Sequence, residues 1–565
     1  MMSQRKAESK EGFRYLLTGV TAPVDSGEEE ILAIAKRQMK RKGFDPHTLH
    51  FRLYKRSVDA RDRTEICFVC TVLIESEREW SEFEIERAGV RRLIEERPEE
   101  VRYGTEPLGA PPLVVGMGPA GLFAALSLAG NGYRPILIDR GGDLTDRISS
   151  VNKFRGAAVL DPECNIQFGA GGAGTFSDGK LVTRIRDPYC RTVLETFHRF
   201  GAPDEILTLA KPHIGTDILV GVIGRMLAEI KRLGGEIRYR CRMDSFEELP
   251  DHTFRVKTSS GQIRCGAIIL APGHSARDTY RMLLEKQFAL EPKPISVGVR
   301  AEHLQEKIDR ALYGDFAGHP NLGHAEYALS DTRGERGVYT FCMCPGGEVV
   351  AAASEEGGLV VNGMSDHARS GRNANAAVAV SVGVKDYELK DGSLILGAIA
   401  FQRSIERAAY RAGGSNYDAP IMTLGDFLVG KRGTEPTEVL PTYRGGKVRT
   451  ADFTEVFPSF VTDSLRYAFR SFGRKIEGYD AGETVLTAAE TRTSAPIRIL
   501  RVPETLCALG HDRVYPCGEG AGYAGGITSA GVDGLRSAQA LMKRFARNGY
   551  ENDGTRPRIL SWERP

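Results

Sequence analysis

One stretch constrains this 565-residue chain more than any other: LVVGMGPAGLFAALSLAGNGYRPILID, beginning at Leu113. An apolar run of strand length breaks into Gly116-Met117-Gly118-Pro119-Ala120-Gly121. It continues as a helical pattern stopped at Gly132, then resumes as a second apolar strand closing on Asp139. Gly116 permits a tight turn, Gly118 lets backbone approach a diphosphate, and Gly121 lets helix and strand pack closely. The helix opened by Pro119 and Ala120 points free N–H groups and the positive end of its dipole at that diphosphate. Asp139 stands where a carboxylate accepts the hydroxyls of a ribose. The stretch therefore predicts a βαβ unit of a parallel sheet that binds a dinucleotide. Residues 111–130 carry no charge and are about long enough to span a bilayer, but their prolines and glycines make them strand, turn and helix.

The segments before this unit alternate periods of 2 and 3.6 residues. After a flexible arm over 1–12, a strand from Phe13, a helix over 28–42, two strands and a helix over 81–96 predict a small ferredoxin-like α+β domain. YGTEPLGAPP follows as a linker. A helix over 217–235, a strand pair and the apolar strand of IRCGAIILAPG complete the first α/β portion. The α/β pattern returns at Val514 and closes with a long helix ending near Asn548.

Composition excludes several classes. A chain that is 41% hydrophobic and 27% charged is globular. A net charge of +2 gives no global pull toward nucleic acid or membrane. The local basic run from Lys36 to Arg63 reads as a solvated face or as a surface for an anionic partner. Ten scattered cysteines are no disulfide scaffold, and the N-terminus lacks the apolar core of a signal peptide, so the expectation is a cytoplasmic protein.

Three further stretches specify the dinucleotide by resemblance. Cys265–Gly273 (CGAIILAPG), whose Ala271 and Gly273 form the turn, resembles the strand and short turn beside the cofactor in flavoproteins with two dinucleotide-binding domains. The loop NIQFGAGGAGTFSDGK resembles the loop beside the flavin ring, with Gln167, Phe168, Gly169, Gly171, Gly172, Thr175 and Ser177 assigned to it. YPCGEGAGYAGGITSAGVDG (515–534) looks like the C-terminal FAD motif. Its Gly518 and Glu519 take the place of a Gly-Asp pair near the ribityl chain, and Gly525, Gly526 and Ile527 open a helix toward the flavin. Glutamate for aspartate is a departure from the pattern. Arg140 and Met243 are assigned to the same cofactor site. Glycine, 64 residues in all, is concentrated in these stretches.

YKRSVDARDR (54–63), NIQFGAGGAGTFSDGKL (165–181), FCMCPGGEVV (341–350), VVNGMSDHARSGRNAN (360–375) and 515–534 together resemble the bacterial family of uncharacterised FAD-dependent dehydrogenases. The resemblance runs over nearly the whole chain. It implies an α/β fold: a Rossmann-like FAD-binding domain (113–275 and 488–550) with an inserted α+β substrate or cap domain (276–487). A ferredoxin-like domain over 1–102 and a linker over 103–112 would precede it. It implies FAD and names no substrate. No second GxGxxG with its strand and acid appears, so any NAD(P)H that serves as reductant binds without a Rossmann motif.

On the substrate side, Cys342 and Cys344 alternate on a strand, which places both thiols on one face. They are candidates for a thiol near the flavin or for plain packing. His274, after the Ala-Pro-Gly turn, is a candidate proton carrier, with His213, His511 and Tyr523 ranked beside it. Asn362, Met364, Arg369, Asn373 and Asn375 form a polar cluster that lines a pocket or bonds a loop to itself. Arg403 and Arg407, one helical turn apart, grip an anionic substrate or form ion pairs. Ser57, Asp59 and Arg61 dock the first domain or contact a ligand. No metal ligand set is found. The expected activity is hydride transfer between flavin N5 and a small organic molecule. A flavin monooxygenase and an FAD-containing RNA-binding or regulatory protein are the alternatives. Nucleic acid and membrane are not expected partners, and the oligomeric state stays open.

Overall fold

The computed structural model describes residues 12–94, 101–431 and 433–547. The N-terminal arm lies outside them except for Gly12.

The first unit is a four-stranded antiparallel sheet in the spatial order Leu49–Asp59, Cys67–Ser76, Phe13–Pro23, Val90–Arg92. The helix Glu28–Arg41 covers it with Ile31, Ala35 and Met39, a stripe at helical spacing. The second helix is shorter than the periodicity over 81–96 suggests. A capping box between Ser81 and Glu84 starts it, and Gly89 in the left-handed region ends it after Ala88. The freed chain turns back as Val90–Arg92, an edge strand hidden in the sequence by a helix-like pattern. Backbone bonds from Arg56 N–H to Thr208 O (2.9 Å) and from Ala210 N–H to Arg56 O (3.0 Å) fasten this unit to the next.

The presumed linker is fixed in place. Glu106 accepts from Arg513 (2.7 Å) and Arg544 (2.6 Å), and its backbone bonds to Arg544 and Ala546.

Residues from both portions of the α/β pattern share one parallel sheet, ordered Val514–Pro516, Ile268–Leu270, Leu113–Val115, Ile136–Ile138, Glu236–Arg238. The four strands on the Val514 side are short, apolar and fully buried, as expected where helices cover both faces. The helices Pro119–Gly130 and Ile527–Arg544 lie against each other, close enough that a Cβ on Gly534 would collide with the Ala120 carbonyl.

A seven-stranded sheet stands apart, centred on Ile295–Leu304, Asn373–Val382 and Val485–Glu490. The ribbon of Leu290–Pro292 with Ile497–Ile499 lies just outside its entry and exit strands. The helix Arg277–Glu285 shares, through Tyr280 and Leu283, one core with the parallel sheet's Leu113 and Ile268 and with Ile395 and Ile399 of the helix Leu394–Ala412. No helix among the described residues is long and apolar enough to cross a membrane.

Candidate functional site

The glycine turn folds as its spacing requires. Gly116 has φ 100° and lies so close to the Ala271 carbonyl that a Cβ would overlap it, and a Cβ at Gly121 would overlap the Gly116 carbonyl. The helix Pro119–Gly130 begins at Gly118 with no side-chain cap, leaving its first N–H groups free for a ligand. Asp139 is buried, and its carboxylate accepts from the N–H groups of Met117 (2.8 Å), Gly141 (2.8 Å) and Gly169 (3.0 Å). Its oxygens tie the turn to the 165–180 loop, with Oδ2 taking a single N–H.

That loop is organised by a residue sequence reasoning did not single out. Arg147 is fully buried. Its guanidinium donates to the carbonyls of Asn165 (2.9 Å), Ile166 (2.7 Å), Ala170 (2.6 Å) and Gly172 (2.8 Å), with Gly169 at 3.5 Å. Burial pushes its pKa down to about 10, while the nearby Asp139 works the other way. No spacing or motif flags an arginine inside the helix Leu144–Ala157. Its role follows only from where the loop folds back. The loop in turn touches the glycine turn: Gly171 N–H donates to Met117 O at 2.9 Å.

Two side chains of the loop retain orphaned buried atoms, Thr175 Oγ1 and Gln167 Oε1. Gln167 Nε2 is already spent on Ala352 O (3.1 Å) of the inserted unit. Ser177 closes a local turn with Gly174 O and Gly179 N–H. Phe168 lies under the Arg140 guanidinium, 4.4 Å from ring centre. With Met243, Gly116, Cys241, Pro272 and Thr279, these two line a small cleft of about 30 Å³ beside the glycine turn.

The C-terminal motif closes the other side. Tyr280 Oη lies within hydrogen-bond distance of the carbonyls of Gly273 (3.1 Å) and Gly520 (2.9 Å), so the turn after Ala271 and the motif meet. Gly518 N–H donates to Asp533 (2.7 Å). Glu519 is half-buried, and its carboxylate has no side-chain hydrogen-bond partner among the described residues. Burial pushes its pKa up to about 7 against the pull of Lys293. The helix Ile527–Arg544 starts at Gly526 without a side-chain cap. Added Cβ atoms at Gly525 and Gly526 would meet open space, with Ser529 Oγ 4.0 Å from the second. Gly174 of the loop sits near Ile527 and Pro119, so the three glycine-rich stretches converge.

An FAD fits this donor set on the structure's own terms. Two uncapped helix starts suit anionic groups. Glu519 is a desolvated acceptor suited to hydroxyls, and Thr175 and Gln167 are orphaned buried groups that need a partner.

The substrate-side candidates fall out differently. Cys342 and Cys344 do not share a face. A bulge between Phe341 and Cys344 breaks the alternation, and Cys342 takes φ 44°. Cys344 is buried, its thiol pushed up to about 12 by that burial. Cys342 is solvent-exposed, yet surrounding protein raises its thiol pKa as well, with Arg300 and Lys180 opposing. Its carbonyl accepts from Arg300 (2.9 Å), a fully buried arginine that also bonds Asn362, Asn375 and Glu490. Part of the predicted polar cluster thus surrounds Arg300, which sequence reasoning missed. Arg369 pairs instead with Asp178 and Glu326, and Asn373 donates to Glu302.

His274 is buried beside Arg492 and Arg277, bonded to Ser275 Oγ (2.9 Å), and burial first, then those cations, lower its pKa to about 3. It stays neutral and cannot titrate in the physiological range. His213 stacks on His367, His511 stacks on Phe288, and Tyr523 donates to Ile499 O. Asp59 and Arg61 pair with each other on the surface.

Residues 294–493, which contain the core of the seven-stranded sheet, match the family described as FAD-dependent protein, C-terminal domain-like. Over 501 residues, 87% of this chain and 92% of the relative, the sequence is 43% identical to an uncharacterised protein of Clostridium beijerinckii. Among solved structures, the halogenase PltM is 11% identical with a TM-score of 0.37, over 78% of this chain and 71% of its own. CtdE in complex with FAD is 13% identical with a TM-score of 0.30, over 76% and 83%. Similarity at that level decides nothing about the reaction.

Proposed function

This chain belongs to one family with the clostridial protein and carries the FAD-dependent C-terminal module, and from that premise we propose that it is an FAD-dependent oxidoreductase acting on a small organic substrate. The convergence of two uncapped helix starts on the loop held by Arg147 is the observation that carries the reading. In this account the Rossmann-like unit and the inserted unit bound the site, and the ferredoxin-like unit buttresses them through Arg56.

Bound there, FAD would supply two-electron hydride chemistry. The turn 116–121 and the helix after it would hold the diphosphate by backbone N–H groups. The Arg140, Phe168 and Met243 cleft would take the adenosine end. Glu519 would accept from the ribityl hydroxyls, and the Gly526–Ile527 helix start would stabilise negative charge on the ring. Cys342, exposed and with its thiol kept protonated by its surroundings, would serve as a proton donor in reach of solvent. His274 holds shape through Ser275 and moves no proton.

Anaerobic mixing of the FAD-loaded protein with NADH or NADPH tests the reading. Bleaching of the visible flavin band by one of them is the expected result. Failure of either nucleotide, and of a panel of small organic donors, to bleach it would remove the oxidoreductase assignment.

A further inference from the structure

A groove of about 810 Å³ runs from the adenosine cleft, where it shares Arg140, Phe168 and Arg242, past the start of the helix Arg277–Glu285 to the helix Leu394–Ala412. Its volume is that of a site for a sizeable small molecule. Many of its charges are already matched: Arg140 with Asp278, Arg242 with Glu163 and Asp244, Arg403 with Glu355.

Two features are left over. At its inner end Arg277 and Arg403 share Glu355, and behind the lining Arg277 and Arg492 share Glu406. Arg277 is almost wholly buried, donates to Glu406, Glu355 and Gln402, and still has a buried Nε with no partner. Along the rim, Arg281, Lys390 and Arg407 are exposed with no ion pair among the described residues, against the acids Glu285 and Asp391. The lining carries seven cationic side chains to six acids, an excess of one positive charge, and its unpaired cations stand at the rim, where they suit an anion.

We propose that this groove docks the phosphate-bearing part of a pyridine nucleotide, NADH or NADPH, beside the FAD site. Arg281 and Arg407 hold phosphate at the rim. The choice of ligand rests on the oxidoreductase reading above; the anion preference rests on the groove alone. The groove also supplies what the sequence lacks, a nucleotide site without a second glycine-turn motif.

The test uses oxidised, FAD-loaded protein titrated calorimetrically with NAD⁺ and NADP⁺, which bind without reducing the flavin. Saturable binding of one of them is expected, weakened at least about tenfold in an Arg281→Glu/Arg407→Glu variant whose FAD content and melting temperature match the parent. Three outcomes overturn the proposal: no saturable binding of either nucleotide, binding unchanged in the variant, or loss of FAD itself from the variant, which would assign the groove to the flavin cofactor. Nucleotide binding that the variant weakens, without flavin bleaching by the reduced form, keeps the groove and removes the hydride reading. Bleaching whose concentration dependence the variant leaves untouched does the reverse.

Discussion

The guanidinium of Arg147 donates to the carbonyl of Gly172 at 2.8 Å, and it holds three more carbonyls of the same loop as tightly. An arginine buried among carbonyls rather than carboxylates places a charge behind the loop that faces the glycine turn. That charge is offset by Asp139, itself bonded to backbone N–H groups on both sides of the gap.

Replacing Arg147 with methionine leaves those buried carbonyls unpaired. Each such loss costs about 1–3 kcal/mol, so the variant is expected to lose at least about 3 kcal/mol in chemical denaturation and to purify without flavin. Arg147→Lys restores part of both, because one ammonium reaches some of the carbonyls. Equal FAD content in all three proteins would remove the loop from the cofactor site.

Glycine substitutions separate packing from cradle. Gly121→Ala forces a collision with the Gly116 carbonyl and should destabilise the fold whether or not FAD is present. Gly526→Ala meets only open space in the protein, so the apo form should melt as the parent does while FAD affinity falls by about tenfold or more. Melting curves with and without FAD read both effects. A Gly526→Ala variant that binds FAD normally would place the cofactor elsewhere.

Glu519 makes the apo protein's stability depend on pH. Burial raises its carboxyl from 4.5 to about 7, so between those values the folded state holds a proton the unfolded state has released. Its contribution is therefore fully present below the unfolded value and is lost as pH rises toward about 7. Glu519→Gln should flatten that part of the parent's melting profile. Identical profiles for parent and variant would contradict the burial assigned to this carboxyl.

Cys342 is the one cysteine of the ten that is exposed. A maleimide probe should label it ahead of Cys67 and Cys190, and more slowly than a free peptide thiol at about pH 8, because its surroundings disfavour the thiolate. Mass mapping reads the order. His274→Ala should leave the pH profile of flavin reduction unchanged between about pH 5 and pH 8, since the imidazole stays neutral there.

The glycine motifs were legible because close backbone approach leaves a residue type behind. Gly116 and Gly121 touch carbonyls, and no other residue fits. The convergence of the 165–180 loop and the 515–534 motif was legible only through resemblance. Arg147, Arg277 and Arg300 were illegible, since a buried arginine gives no periodic signal and its partners come from distant chain. Arg277 bonds Glu406 across 129 positions, and Arg300 bonds Glu490 across 190. The cysteine pair misled because alternation assumes a regular strand, and the bulge at Cys342 lies where nothing in FCMCPGG marks it.

The most direct measurement is a titration of flavin-free protein with FAD and, separately, with FMN, followed by flavin fluorescence. The account predicts saturation at one FAD per chain and binding of FMN weaker by at least about a hundredfold, because FMN lacks the adenosine that the Arg140, Phe168 and Met243 cleft receives and carries no diphosphate for the glycine turn. No saturable FAD binding, or FMN bound as tightly as FAD, would contradict it.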